Sequence, residues 1–182
     1  VPQARGAKRL RAMQNILLVD GYNMIGAWSE LRELRDTNFV EARNRLIELM
    51  AEYKAAMDMR VIIVFDAHLA PGTEQVYIQN AVEVIYTRKN ETADERIEKL
   101  SKELKGRRTQ IYVATSDMTE QNVVFGQGAL RKSARELEIE LKIVQKKISS
   151  KVLETQSERP STRISLSKDV EIMFEKWRRG LK

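Results

Sequence analysis

Cysteine is absent from the 182 residues, histidine occurs once and proline three times. Without thiols the chain has neither a disulfide framework nor thiolate chemistry. Cysteine-ligated zinc is excluded, and a single histidine is too little for a histidine-based zinc site. No apolar run approaches the ~20 residues that cross a bilayer. The N-terminus also lacks the apolar centre of a signal peptide. A cytoplasmic, disulfide-free globular protein with no membrane partner is the expectation, and the length suits one domain with a substantial core.

Charge of both signs is abundant but unevenly placed. The formal net charge is +6, yet residues 1–12 carry Arg5, Lys8, Arg9 and Arg11 and no acid. That stretch reads as a vector-derived leader ahead of a start at Met13, and it is set aside from the fold. Of the remainder, residues 13–119 are net −3 and residues 120–182 net +5. An acidic front and a basic back suit a protein that binds a polyanion beside a metal-binding acidic site. Taken alone, the charge of the basic half reads better as a solvated helix face.

Ile16-Leu17-Leu18-Val19 predicts a buried strand, closed by a turn at Asp20-Gly21. Asn38, with Glu41 three residues on, opens an amphipathic helix through Leu46, Leu49, Tyr53 and Met57. Val61 to Phe65 forms a second strand ending at Asp66, Pro71-Gly72 opens a polar loop, and Val82 to Tyr86 forms a third strand. Thr92-Ala93-Asp94-Glu95 is a capping box that starts another helix, and Ile111 to Ala114 is a fourth strand before Thr115-Ser116-Asp117. From Leu130 to Val152 apolar residues recur at helical spacing, so one long helix is expected. Alternating strands and helices describe an α/β protein with a mainly parallel sheet. Residues 13–155 would form this domain, and 156–182 a linker and a final helix packed on it.

Ligands in such a sheet bind beyond the carboxyl ends of the strands. Asp20, Asp66 and Asp117 each follow a strand, and Asp94 lies in the first turn of a helix. Carboxylates gathered on one rim repel unless a cation neutralises them. Oxygen-only ligands select hard cations such as Mg²⁺ or Mn²⁺, which suit phosphodiester hydrolysis. Each aspartate taken singly is better explained as a helix cap or a turn residue. Repetition at successive strand ends is what favours a site.

Residues 16–25 (ILLVDGYNMI), Val64-Phe65-Asp66-Ala67-His68, Asn90-Glu91-Thr92-Ala93-Asp94-Glu95, Ala114-Thr115-Ser116-Asp117 and residues 126–137 (GQGALRKSAREL) occur in this order. Together they resemble the YacP-like branch of the NYN domain, a three-layer α/β/α PIN-like nuclease fold, across residues 15–137. The resemblance implies a metal-dependent endoribonuclease that acts on messenger RNA at the translating ribosome, with no DNA substrate expected. It assigns Asp20, Asp94 and Asp117 as catalytic metal ligands and Asn23 as a polar residue orienting a ligand or phosphate. Asp66 matches a position that either ligates the metal or supports the ligands.

Weaker readings concern the basic residues. Arg131, Lys132 and Arg135, at the start of the expected long helix, would steer RNA phosphates towards the acidic rim. His68 would contact the scissile phosphate or simply bond within its loop. Gly126-Gln127-Gly128 would cradle phosphate or make a tight turn, and Trp28 and Trp177 read as packing residues. A non-catalytic RNA- or ribosome-binding module is the alternative function. A receiver-type phospho-acceptor lacks its paired acid beside Asp20 and its late lysine. A haloacid-dehalogenase-like phosphatase would need an aspartate where Tyr22 stands.

Overall fold

The structure, a computed structural model, describes residues 12–67, 75–116 and 128–158. The chain divides into two compact units, Val1–Lys146 and Lys147–Lys182. The sheet belongs wholly to the first. Its strands are β1 (Gln14–Asp20), β2 (Arg60–Phe65), β3 (Gln75–Gln79), β4 (Val82–Tyr86), β5 (Thr109–Ala114) and β6 (Leu130–Lys132). Helices α1 (Gly21–Ala27), α2 (Ser29–Thr37) and α3 (Phe39–Met57) lie between β1 and β2, and α4 (Ala93–Glu103) lies between β4 and β5. Helix α5 (Ala134–Glu158) follows β6.

Strand order is β3-β4-β2-β1-β5-β6, parallel except for β3. Strand β1 is central and buried on both faces, which is why it reads as an unbroken apolar run. Leu17 and Val19 pack with α1–α3 and with Ala134, Leu137, Leu141 and Val144 of α5. Ile16 and Leu18 face the other way, onto Ile97 and Leu100 of α4. This alternation places a helical layer on each face and makes the architecture α/β/α, as the sequence predicts. Trp28 is buried and its indole N–H donates to the Ala134 carbonyl at 2.8 Å, so it packs and does not stack on a ligand.

Three local expectations are corrected. Asp20-Gly21 is not an open turn, because α1 starts at Gly21 and α2 follows it. Past the expected polar loop, whose Pro71-Gly72 lies outside the described residues, Gln75 begins a strand, β3, joined to β4 by Asn80 and Ala81, both at positive φ (50° and 65°). Two such residues make the tight turn whose twist matches a hairpin. Finally, the long helix does not begin at Leu130. Leu130–Lys132 pair in parallel with β5, and Gly128 (φ 82°) leads into that strand, not into a helix. The reason is a capping box at Ser133: its N–H donates to Glu136 at 2.7 Å, and the Glu136 N–H donates back to its hydroxyl at 3.2 Å. The helix then continues to Glu158, past the Gln156 at which composition predicts a linker.

Candidate active site

From β1 the chain first builds the β2, β4 and β3 side of the sheet and only then the β5 and β6 side. The direction reverses between β1 and β5, so the crevice beyond their carboxyl ends is the favoured ligand position. Asp20, the last residue of β1, occupies that edge and is only 8% exposed. One of its carboxylate oxygens caps α1, accepting the Asn23 N–H at 3.0 Å. The cap reading therefore holds for Asp20, and one accepted N–H engages only part of a carboxylate's hydrogen-bonding capacity.

Asn23 reaches across the crevice. Its Oδ1 accepts from the Ser116 N–H at 2.7 Å and from the Ser116 hydroxyl at 2.6 Å, just past the end of β5. Two donors on one atom fix it as the oxygen, so the amide NH₂ is the other end. That NH₂ has no acceptor among the described residues. Ser116 is a contributor that its sequence context did not reveal, because its role depends on β1 and β5 lying side by side.

Asp66 follows β2 and sits where buried Thr87 grips the backbone on either side of it. The Thr87 N–H donates to the Phe65 carbonyl at 3.0 Å, and its hydroxyl accepts the Ala67 N–H at 2.9 Å. Asp94 is exposed in the first turn of α4, which starts from the same carboxyl edge. Capping there is done by Thr92 and Glu95, bonded reciprocally at 3.2 Å. Asp94 is thus not required as a cap, and a negative charge in this first turn is favoured by the helix N-terminus.

Asp20, Asn23, Asp66 and Asp94 all lie on this edge of the fold. Asp117 and His68 lie outside the described residues. Among the described residues no three acidic or histidine side chains come close enough to hold a metal ion. The donors present on the edge are all oxygen, the kind that Mg²⁺ and Mn²⁺ take. A cavity of 680 Å³ lies elsewhere, lined by Gln14, Asn15, Asp58 and Arg60 near the amino ends of β1 and β2. Strand ends of that polarity seldom carry the chemistry of an α/β sheet.

The basic trio separates. Arg131 and Lys132 are on β6 and not on a helix, and Arg135 is exposed in the first turn of α5. Lys132 turns inward to Glu140, with Nζ 2.7 and 2.6 Å from the two carboxylate oxygens. It also lies over the Tyr112 ring, 5.6 Å from its centroid. The Tyr53 hydroxyl donates to the same carboxylate at 2.6 Å, and burial with that carboxylate pushes its pKa up. Lys132 is thus engaged by Glu140, Tyr53 and Tyr112, while Arg131 and Arg135 are exposed. Lys132→Met should lower stability by about 1–2 kcal/mol, moderated by the partial exposure of Glu140. RNA affinity should barely change. A denaturant midpoint beside an RNA titration checks both, and a selective loss of affinity would restore Lys132 to the RNA surface.

Comparison with known proteins agrees with the fold. The protein YacP of Bacillus subtilis (strain 168), described as uncharacterized, is 57% identical over 166 residues, covering 91% of this chain and 98% of its own length. The crystal structure of Rae1 (YacP) from Bacillus subtilis superposes with a TM-score of 0.72 at 57% identity, covering 91% of this chain and 95% of that one. A single-substitution variant of the same protein also gives 0.72, at 53% identity, covering 92% and 96%. The family model for the YacP-like NYN domain matches residues 17–179. This chain, a nuclease-type α/β/α domain, belongs to the YacP-like NYN domain family.

Proposed function

We propose that the protein is a metal-dependent endoribonuclease that cleaves messenger RNA in association with the translating ribosome. The observation that carries the reading is the Asp20–Asn23–Ser116 chain of hydrogen bonds, which sets a buried carboxylate at the switch point of the sheet. Asp20, Asp94 and Asp117 would hold Mg²⁺ or Mn²⁺, with Asp66 as a further ligand or as support. A cation bound there would polarise a phosphoryl oxygen and acidify an attacking water. The chain's own residues do the rest. Ser116 fixes the Asn23 side chain, whose amide NH₂ then offers a donor to a phosphate oxygen. Thr87 holds the peptide around Asp66 rigid, keeping its carboxylate at the edge. Arg131 and Arg135 supply sequence-independent attraction for the RNA backbone.

The test uses RNA and DNA oligonucleotides, with Mg²⁺, Mn²⁺ or chelator, in the presence and absence of ribosomes. Internal cuts in RNA, lost on chelation and strengthened by translating ribosomes, are expected. Mn²⁺ should also raise the unfolding temperature of the wild type but not of Asp20→Asn, because a ligand bound only by the folded state stabilises it. Sedimentation with ribosomes but no cleavage under any condition would favour the non-catalytic binding module.

A further inference from the structure

Only 6% of the chain is aromatic, yet five of its eleven rings gather beside the acidic edge: Tyr22, Phe39, Phe65, Tyr77 and Tyr86. Three form a column across the sheet. Phe65 of β2 stacks on Tyr86 of β4 (centroids 5.4 Å, 23° between planes), and Tyr86 stacks on Tyr77 of β3 (6.0 Å, 19°). Strand pairing explains the column, since Phe65 is opposite Tyr86 and Tyr77 is one pair further along on the same face. Its inner end is fully buried against Gly21, next to Asp20. Its outer end, Tyr77, is 36% exposed on β3, the edge strand of the sheet among the described residues.

Beside the column stands Arg43 of α3. Its guanidinium lies 5.8 Å from the Tyr86 centroid and 5.6 Å from that of Phe39, and it donates to the Tyr22 hydroxyl at 3.3 Å. Among the described residues no carboxylate pairs with it. A half-buried cation held by rings and a phenol keeps its charge available to an anion. A ring stack that opens to solvent at one end differs from a core, which closes on both sides.

We propose that Tyr77, Tyr86 and Arg43 form a binding track for single-stranded RNA on the β3 side of the acidic edge, a base stacking on Tyr77 and a phosphate meeting Arg43. The proposal rests on RNA being the ligand of the site. Stacking on an aromatic side chain tolerates any base, and a neighbouring guanidinium supplies the charge that the backbone requires. Continuity of the column with Gly21 leads a strand bound there towards Asp20.

The experiment is equilibrium binding of a labelled uridine oligonucleotide to the full chain in chelator, against the same backbone carrying abasic sites. Tyr77→Leu keeps apolar bulk on an exposed position but removes the aromatic face. It should weaken binding of the base-bearing strand about tenfold and leave the abasic strand unaffected. Arg43→Ala should flatten the salt dependence of both by ~0.7, and Arg43→Lys should restore that slope. Equal loss on both strands in Tyr77→Leu, or none, overturns the track. Wild-type cleavage with Mn²⁺, with and without translating ribosomes, is measured in parallel to separate the two readings. Cleavage without a Tyr77 effect refutes the track alone, whereas base-selective binding without cleavage under either condition refutes the nuclease and supports the track.

Discussion

Asp20→Asn is expected to reduce RNA cleavage by more than about a hundredfold while leaving the fold intact. Changing a residue that merely hydrogen-bonds a metal ligand costs ~10–100-fold, and removing the charge of a ligand should cost more. The fold is spared because Asp20 also caps α1 through the Asn23 N–H, and asparagine caps as well as aspartate does. Asp20→Ala removes both functions, so it should lose a further ~1 kcal/mol of stability with no greater loss of cleavage. The pair therefore separates the chemistry of the carboxylate from its structural duty. Asp94→Asn should be equally inactive and nearly neutral for stability, since Thr92 and Glu95 cap α4 without it. Combining the two should add little, because ligands of one ion act as a unit. Cleavage assays with unfolding curves on all four variants decide the matter. An active double variant would end the assignment of these two aspartates.

The elements that could be read from the sequence are those whose burial is complete. Strands β1, β2 and β5 lie inside the sheet, so their apolar runs have no competing interpretation, and Thr92 announces α4 through a local hydrogen-bond pair. Strand β3 was hidden because an edge strand exposes much of its length: Val76 and Ile78 are 61% and 72% exposed. Its turn carries Asn80-Ala81, not the Asn-Gly that signals a hairpin. Strand β6 was hidden by a conflict between scales. Leu130 fits the helical spacing of Ala134, Leu137 and Leu141, but the capping box at Ser133 decides where the helix starts. That same box puts Lys132 on a strand facing Glu140 and Tyr53, not on the helix expected to carry it. That Asp20, Asp66 and Asp94 share one edge was legible, because topology alone sends strand carboxyl ends, and the helix start that follows one of them, to that edge. Ser116, Tyr77 and Arg43 were not, since each acquires its surroundings from chain segments far away in sequence.

Gly21→Ala should impair stability and cleavage together. A Cβ at this position would lie 2.3 Å from Cε1 and 2.5 Å from Cδ1 of Phe65, well inside any tolerable contact. The ring has nowhere to go: it is fully buried and held between Tyr22 at 5.0 Å and Tyr86 at 5.4 Å. Alanine is the better helix former by ~1 kcal/mol in a helix interior, and Gly21 opens α1, where that advantage is smaller. Overpacking a core typically costs ~1–3 kcal/mol, so net destabilisation is expected. Relief through the backbone instead of the ring would displace Asp20, the adjacent residue. A shift of about 1 Å in a reacting group can cost ~100-fold in rate. The glycine is therefore needed for close approach of α1 to β2, which brings the carboxylate onto the sheet edge. Phe65→Leu in the Gly21→Ala background removes the ring that clashes. Part of the lost stability should return, with a coupling of ~0.5–3 kcal/mol between the two positions. Denaturant midpoints for the four members of this cycle, with cleavage rates beside them, provide the measurement. Additive effects would place the constraint on Gly21 somewhere other than the Phe65 ring.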